Sequence, residues 1–199
     1  MLNLLLARHA QSEWNALGRW QGQSDPPLSE LGWAQARAAG LNAGVFDAIV
    51  ASTLERARNT ATVISEATGV GPVLVDERLM ERQAGEYQGL TKDEIEGRWP
   101  GNLAARIWPP GWESDEDLVA RAREAMDEIY LRTAGSGEVL IVTHGGLIYA
   151  IEEHLGENRG RIPNLGGCWI HHDGKRWKLG ERIELAPDDI TLDTDRDAV

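Results

Sequence analysis

Short runs of apolar residues alternate along the chain with longer segments of mixed polarity, and this pattern predicts alternating strands and helices. Apolar runs bounded by turn residues are typical of strands that are buried on both faces. Four such strands are predicted, at Leu2–Ala7, Phe46–Ser52, Pro72–Asp76 and Gly137–Gly146. The segment after residue 165 predicts two more strands around a turn at Asp173-Gly174.

Capping residues predict where the intervening helices begin. Ser or Thr followed three residues later by Glu forms a capping box, and this pattern predicts helix starts at Ser52 and Thr91. The other predicted helices are Ser29–Ala43, Ser114–Thr133 and Leu147–Leu155. Strands that alternate with helices predict an α/β fold, a three-layer α/β/α sandwich with a mainly parallel central sheet.

The length and the charge distribution predict one folded domain followed by a tail. A chain of 199 residues is long enough for a sizeable core, and we assign residues 1–185 to a single domain. Residues 186–199 form an acidic C-terminal tail, in which the segment PDDITLDTDRDAV contains five Asp and one Arg. Such a tail is expected to fray in solvent.

Composition excludes several classes of function. The net charge of −12 disfavours binding to nucleic acid or to anionic membranes. Cys168 is the only cysteine, so neither an intrachain disulfide nor a thiolate metal cluster is expected. His154, His171 and His172 show no metal-ligand spacing and are interpreted as structural. No apolar run has the length of a membrane span and no signal peptide is recognised, so a cytoplasmic protein is expected.

Arginine and histidine residues lie at the carboxyl ends of three predicted strands. Arg8 and His9 follow the first strand, Arg56 lies just after the second, and His144 ends the fourth. Ligands of open α/β sheets bind at this edge, and guanidinium groups suit phosphate oxygens. Asn15 is a further candidate donor. The pattern indicates a site for a tetrahedral dianion, and the alternative is a surface arginine beside a hydrogen-bonded histidine.

A candidate acid lies between the third strand and the helix that begins at Thr91. Glu81 stands in the segment DERLMERQAGEYQGLT, after a short apolar turn. A carboxyl group that is partly desolvated and close to an anion keeps its proton more readily, as a general acid requires.

Four tryptophans lie in predicted loops, and these are Trp14, Trp20, Trp108 and Trp112. They either bind a ligand or pack in the core.

Six segments in series resemble the histidine phosphatase superfamily, in its phosphoglycerate mutase-like branch. They are ARHAQSEWN, GRWQGQSDPPLSELGWAQA, STLERARNTA, DERLMERQAGEYQGLT, PPGWES and VTHGG. Together they cover residues 2–148 in the order of the family. The resemblance implies a phosphoglycerate mutase-like fold and a reaction through phosphohistidine, with neither a metal nor another cofactor.

The resemblance also implies residue roles. His9 would be the nucleophile, and Glu81 would protonate the leaving group and then help to activate water. Arg8, Arg56 and His144 would hold the phosphoryl group. The other residues that the resemblance assigns to substrate binding are Asn15, Gln21, Gly22 and Gly145. Three residues depart from the family pattern, and these are Ala10, Gln11 and Trp112. If position 10 required a positive φ, alanine would be a poor fit there.

The sequence leaves three functions open. The first is a phosphatase for a small organic phosphate ester, such as a sugar phosphate or a glycosylated phosphoglycerate. The second is a phosphoglycerate mutase, which is disfavoured because the stretch between Glu81 and His144 is short and net acidic. The third is a non-catalytic protein that binds a phosphate ligand, which the presence of both His9 and Glu81 disfavours. A homodimer is a candidate assembly.

Overall fold

A six-stranded sheet forms the centre of the computed structural model, which describes residues 1–186. The order across the sheet is β3-β2-β4-β1-β5-β6. Neighbours among β1 to β4 pair in parallel, whereas β5 is antiparallel to both β1 and β6. The strands are β1 Leu2–Arg8, β2 Ala48–Ser52, β3 Leu74–Asp76, β4 Gly137–Thr143, β5 Gly166–His172 and β6 Trp177–Glu184.

Helices cover both faces of the sheet, which confirms the three-layer α/β/α architecture. The α-helices are α1 Glu13–Ala16, α2 Glu30–Asn42, α3 Glu55–Thr68, α4 Lys92–Arg98, α5 Asn102–Ala105, α6 Asp115–Arg132 and α7 Gly145–His154. Leu4 and Leu6 of β1 pack in a core with α6 and α7, whereas Leu5 and Ala7 pack with α2 and α3. Successive strand residues therefore feed opposite layers, as expected of a strand buried on both faces.

A third apolar cluster lies apart from these two layers. Trp20, Tyr87 and Ile95 are buried in it, and Trp99 and Trp112 pack against them. The sequence left open whether Trp20 binds a ligand or fills a core, and its place in this cluster shows packing.

The predicted helix start at Ser52 is wrong. Helix α3 begins at Glu55, and its N-cap is Leu54, which makes no side-chain capping bond. Ser52 instead ends β2, and its hydroxyl lies 2.8 Å from Nε2 of His144. A tertiary contact has therefore taken the hydroxyl that the local pattern assigned to the helix.

The other capping predictions are confirmed. Thr91 and Glu94 form both bonds of the capping box at the start of α4, and Ser29 and Ser114 cap α2 and α6. The fourth strand ends earlier than predicted, because α7 already begins at Gly145. No helix among residues 1–186 has the length and apolar character that a membrane span needs. Ala186, the first residue of the predicted tail of residues 186–199, is buried in the core, and the rest of that tail lies outside the described residues.

Candidate active site

The carboxyl ends of β1, β2 and β4 meet at one edge of the sheet and form a small cavity. Because these three strands are neighbours and parallel, Arg8-His9, Ser52 and His144 come together there. The ring centroids of His9 and His144 are 5.1 Å apart. The cavity is lined by Arg8, His9, Asn15, Arg19, Gln21, Gly22, Arg56, Glu81, Gly145 and Tyr149. All the predicted site residues except His144 line it directly, and His144 packs edge-on against His9.

His9 is held with one ring nitrogen bonded to the backbone. Its Nδ1 lies 2.7 Å from the carbonyl oxygen of Ala10, so we assign the proton to Nδ1. Nε2 is then unprotonated, and its lone pair accepts a hydrogen bond from Nε of Arg56 at 3.2 Å. Burial lowers the pKa of His9 well below its usual value, and the charges of Arg56 and Arg8 add to this effect. The ring is therefore neutral at neutral pH, which the predicted role of nucleophile requires.

Arg56 is fully buried, and backbone carbonyl groups fix its guanidinium. NH1 donates to the carbonyl oxygen of Ser24 at 2.6 Å, and NH2 donates to that of Gly22 at 2.9 Å. Burial lowers the pKa of Arg56 to about 10, while the charges of Glu81 and Asp25 act in the opposite direction. Arg56 thus keeps its positive charge at neutral pH, next to Nε2 of His9.

His144 presents a buried ring nitrogen that lacks a partner among residues 1–186. Its Nε2 lies beside the hydroxyl of Ser52, and that hydroxyl oxygen also accepts the N–H of Leu54. We therefore assign the Ser52 hydroxyl as the donor and Nε2 of His144 as the acceptor. The ring proton of His144 is then on Nδ1. Nδ1 is buried and makes no hydrogen bond there. Burial lowers the pKa of His144 well below its usual value, with Arg56 as the next cause. A neutral ring with an unpaired N–H beside two arginines suits an anionic oxygen.

Glu81 lies at the edge of the same cavity, with its carboxylate bonded to two backbone N–H groups. Oε1 accepts from Arg82 at 2.7 Å, and Oε2 accepts from Gly146 in the first turn of α7 at 3.0 Å. A Cβ atom at position 146 would lie 2.5 Å from Oε1 of Glu81. The second glycine after His144 therefore makes room for the candidate acid.

Two amide side chains complete the cavity. Oδ1 of Asn15 accepts from the backbone N–H of Ser12 and from Asn164, and no bond within residues 1–186 uses its Nδ2. Oε1 of Gln21 accepts from the hydroxyl of Ser12 at 2.8 Å. Both amides thus have their oxygen atoms engaged, which leaves N–H groups for an anion.

Sequence reasoning missed several residues of this site. Arg19 and Tyr149 also line the cavity, and Ser52 was assigned to a helix cap. Asn164 bonds to the carbonyl oxygen of His9 at 2.8 Å from far along the chain. No local pattern marks these residues, although the capping box of Ser12 with Asn15 was a readable signal for the start of α1.

The alanine that departs from the family pattern at position 10 fits its place. The non-glycine residues with positive φ within residues 1–186 are Arg106, Ala134 and Leu165, so Ala10 does not need a glycine backbone. Its N–H donates to the hydroxyl of Thr60 at 3.1 Å. The concern about strain at this position is therefore removed.

A second, larger cavity of about 310 Å³ adjoins the first one. Gly22, Glu81 and Tyr149 line both cavities. Trp108 and Trp112 form one wall and stack in parallel, with centroids 4.3 Å apart. The guanidinium of Arg82 lies over the ring of Trp112 at 5.1 Å. We call this space the outer cavity. Trp112, the third departure from the family pattern, thus belongs to its wall.

The four loop tryptophans do not separate cleanly into the two interpretations, because Trp20 and Trp112 pack in the third apolar cluster and also line the outer cavity. Trp20, Trp108 and Trp112 line the outer cavity, and Trp108 keeps 41% of its surface exposed. Trp14 does not line it and lies 3.4 Å from the position of a Cβ atom at Gly89.

Within residues 1–186, no group of three or more His, Cys, Asp or Glu side chains could hold a metal ion.

Comparison with known proteins identifies relatives of the whole fold. The family model of the histidine phosphatase superfamily (branch 1) matches residues 4–182. A 2,3-bisphosphoglycerate-dependent phosphoglycerate mutase of Methylobacterium sp. (strain 4-46) is 43% identical over 81% of this chain and 85% of its own. A glucosyl-3-phosphoglycerate phosphatase of Mycobacterium tuberculosis (strain H37Rv) is 42% identical over 91% of this chain and 89% of its own.

Solved structures agree with the sequence relatives. A mycobacterial glucosyl-3-phosphoglycerate phosphatase in complex with VO3 superposes with a TM-score of 0.81 at 36% identity, covering 90% of this chain and 97% of its own. The same enzyme with inorganic phosphate gives a TM-score of 0.79 at 33% identity, covering 92% and 97%. The phosphoglycerate mutase-like fold that the sequence predicted is confirmed.

Proposed function

The chain belongs to branch 1 of the histidine phosphatase superfamily, and from this premise we propose that it is a metal-independent phosphomonoester hydrolase that forms a phosphohistidine. One observation carries the proposal. The neutral Nε2 of His9 lies 3.2 Å from Arg56, in a cavity that Glu81 also lines. A nucleophile, a cationic clamp and a carboxyl group are the parts that this chemistry needs.

In the first step, Nε2 of His9 attacks the phosphorus atom of the ester and the P–O bond to the leaving group breaks. Protonated Glu81 gives its proton to the departing alkoxide, which leaves as an alcohol. Charge develops on the three remaining phosphoryl oxygens. Arg8, Arg56 and the Nδ1–H of His144 stabilise this charge, because they are already oriented and partly desolvated.

In the second step, water attacks the phosphohistidine on the side that the alcohol has left. Glu81, now ionised, takes a proton from the water as the new P–O bond forms. The bond between phosphorus and Nε2 breaks, inorganic phosphate leaves, and His9 and Glu81 return to their starting states. Asn15 and Gln21 are assigned to hold phosphoryl oxygens through their amide N–H groups, and Gly22 and Gly145 allow close approach of the backbone.

For the substrate, we propose a glycosylated phosphoglycerate. The outer cavity continues from the phosphate site past Glu81, which places it on the leaving-group side. Its aromatic wall suits a sugar ring, and Arg106 lies on its lining, where a carboxylate would find positive charge. A relative that is named glucosyl-3-phosphoglycerate phosphatase matches 91% of the chain.

The mutase remains the second candidate, because a relative of that name is 43% identical. A mutase must return the phosphoryl group of phosphohistidine to a second phosphoglycerate instead of to water. The phosphatase relative covers more of this chain than the mutase relative, 91% against 81%, and this favours hydrolysis. A cytoplasmic location and a homodimer stay predictions from the sequence.

The decisive experiment measures phosphate release from a panel of esters that includes glucosyl-3-phosphoglycerate, 3-phosphoglycerate, glycerol phosphate and hexose phosphates. In parallel, formation of 2-phosphoglycerate from 3-phosphoglycerate is followed with 2,3-bisphosphoglycerate present. We expect the highest kcat/KM for phosphate release from the glycosylated substrate. Faster isomerisation than hydrolysis would assign the mutase activity, and no turnover of any ester would favour the non-catalytic alternative.

A further inference from the structure

The segment that carries Glu81 follows a short 3₁₀ helix, Glu77–Leu79, and side chains from other elements anchor it. Four consecutive carbonyl oxygens, those of residues 78 to 81, accept hydrogen bonds from side chains. Thr143, at the end of β4, donates its hydroxyl to the carbonyl oxygen of Leu79 at 2.8 Å. Arg121 of α6 donates to the carbonyl oxygens of the other three, Arg78, Met80 and Glu81, at 2.7, 2.7 and 3.0 Å.

Arg121 uses its whole guanidinium in this arrangement. Nε and NH2 form a forked pair with the carboxylate of Glu113 at 2.7 and 2.9 Å, and NH1 bridges two of the carbonyl oxygens. NH2 also reaches the carbonyl oxygen of Glu81. A planar fork with five N–H groups can serve so many acceptors at once, whereas a lysine ammonium cannot.

Glu113 extends the anchor to the residues on the other side of Glu81. Its carboxylate also accepts the N–H of Gln83 at 3.1 Å, and its N–H donates to the carbonyl oxygen of Gln83 at 3.0 Å. Its carbonyl oxygen accepts from the side chain of Arg82 at 2.7 Å. The ion pair of Arg121 with Glu113 therefore clamps the chain both before and after the candidate acid.

From these contacts we infer that Arg121, held by Glu113, is a positioning residue that places the carboxyl group of Glu81 against the leaving-group oxygen. The inference rests on the proposed function, since it assumes that Glu81 is the acid. Arg121 does not line either cavity, and its direct contact with the candidate acid is the hydrogen bond to the backbone carbonyl oxygen of Glu81. Its charge also contributes to the lowered pKa of His144, and an effect on the phosphate site is separated from positioning by the vanadate measurement below. Glu113 cannot substitute as the acid while its two oxygens receive the fork of Arg121.

The ratio of kcat/KM on an alkyl phosphate to kcat/KM on nitrophenyl phosphate separates positioning from general support of the fold. An alkoxide needs a proton to leave, whereas nitrophenolate departs as a stable anion. A misplaced acid thus lowers the ratio, but a damaged phosphate site lowers both rates together. Glycerol phosphate and 4-nitrophenyl phosphate are the substrates, and vanadate inhibition reports on the phosphate site.

The variants are Arg121→Met, Arg121→Lys and Glu113→Gln, with Glu81→Gln as the benchmark and Arg123→Met as the control. Arg123 lies on the same helix and contacts His154 instead.

We expect Arg121→Met to lower the ratio by about 10- to 100-fold, with vanadate inhibition unchanged, because a small misplacement of a reacting group has effects of this size. Arg121→Lys should be intermediate, and Arg123→Met should leave the ratio unchanged. In a double variant with Glu81→Gln, Arg121→Met should lower the ratio no further.

Each outcome decides the inference. A folded Arg121→Met with an unchanged ratio overturns it, as do equal losses on both substrates with weaker vanadate inhibition. If Arg121→Met does not fold, Glu113→Gln decides in its place, and an unchanged ratio there overturns the inference. If Glu81→Gln itself leaves the ratio unchanged, the proposed role of Glu81 fails and this inference falls with it. A ratio that falls in Glu81→Gln but not in Arg121→Met removes the role of Arg121 alone.

Discussion

The phosphate clamp and the outer cavity meet at Glu81, but they are built in opposite ways. We use phosphate clamp for the residues that are proposed to bind or attack the phosphoryl group, namely Arg8, His9, Asn15, Arg56 and His144, all of which are buried. They stand at strand ends or helix starts, and backbone groups or fixed side chains hold them. The outer cavity is walled largely by segments outside the sheet, where Trp108 is 41% exposed and Arg106 has a positive φ of 53°.

This difference indicates a division of labour. A group that stabilises charge in a transition state must be oriented before the reaction, and burial at a sheet edge achieves this. Loops tolerate changes of sequence and shape, so a wall made of loops can change its ligand without disturbing the reaction centre. The five predictions below test this division, and they run from the largest expected effect to the smallest.

Replacement of His9 by Ala should abolish turnover of every ester to the same degree. We expect kcat/KM to fall by at least about 10⁴-fold, because the step that forms the covalent intermediate is lost. Phosphate-release assays on glycosylated and on small esters check this, with thermal unfolding as the control for the fold. Turnover near the wild-type rate would remove His9 from the role of nucleophile.

Replacement of Glu81 by Gln should have an effect that depends on the leaving group. The variant keeps the shape of the side chain and removes its proton, so kcat/KM on an alkyl phosphate should fall by roughly 10²-fold or more. The value of kcat/KM on nitrophenyl phosphate should fall far less, and inhibition by vanadate should change little. Equal losses of kcat/KM on both substrates would show that Glu81 supports phosphate binding and does not protonate the leaving group.

Acid pH should destabilise the protein through the buried histidines of the clamp. The pKa values of His9 and His144 in the folded state lie well below the ordinary value of 6.5, because burial and the nearby arginines disfavour the charged ring. Well above pH 6.5, these histidines are neutral in both the folded and the unfolded protein, and their contribution to the free energy of unfolding is complete. As the pH falls below that value, only the unfolded chain binds protons. The free energy of unfolding should then fall by up to about 1.4 kcal/mol per pH unit for each histidine.

Urea unfolding between pH 7.5 and 5 measures this slope. The variant His144→Gln should show a slope that is smaller by the contribution of one histidine. His154→Gln, which changes an exposed histidine, is the matched control and should keep the wild-type slope. Identical slopes in wild type and His144→Gln would contradict the lowered pKa of His144.

Replacement of Trp108 by Ala should affect only substrates that fill the outer cavity. Loss of an aromatic contact costs about 1 kcal/mol, which corresponds to about a fivefold higher KM for the glycosylated substrate. Glycerol phosphate, which lacks the sugar ring, serves as the control and should be hydrolysed at the wild-type rate. An equal effect on both esters would show that the two regions are not separable.

Removal of divalent metal ions should have the smallest effect, namely none. The proposed reaction uses arginine and histidine side chains to balance the phosphoryl charge in both steps. We expect unchanged kcat and KM after dialysis against EDTA, measured for both the glycosylated and the nitrophenyl substrate. Activity that is lost in EDTA and restored by Mg²⁺ or Mn²⁺ would contradict the metal-free mechanism.

Much of the clamp could be predicted because its residues follow local patterns. Apolar runs marked the strands. Arg8 ends β1, and His9 and His144 stand directly after β1 and β4. The outer cavity could not be predicted in the same way. Trp20, Trp108 and Trp112 were recognised as candidates, but nothing local indicated that Trp108 would stack on Trp112 while Trp14 packs elsewhere.

The sequence by itself determined the alternation of strands and longer helices, the starts of α2, α4 and α6, and the placement of the clamp residues at the carboxyl edge. These features depend on hydrophobic periodicity, capping and chain connectivity, which act over a few residues or follow from the handedness of βαβ units. The tertiary structure alone decided that Ser52 bonds to His144 instead of capping α3, and that Arg121 and Glu113 clamp the segment of Glu81. Each of these contacts joins side chains from different elements, in the case of Ser52 and His144 across 92 positions of the chain. The packing of the layers brings these side chains together, and local sequence patterns do not predict such contacts.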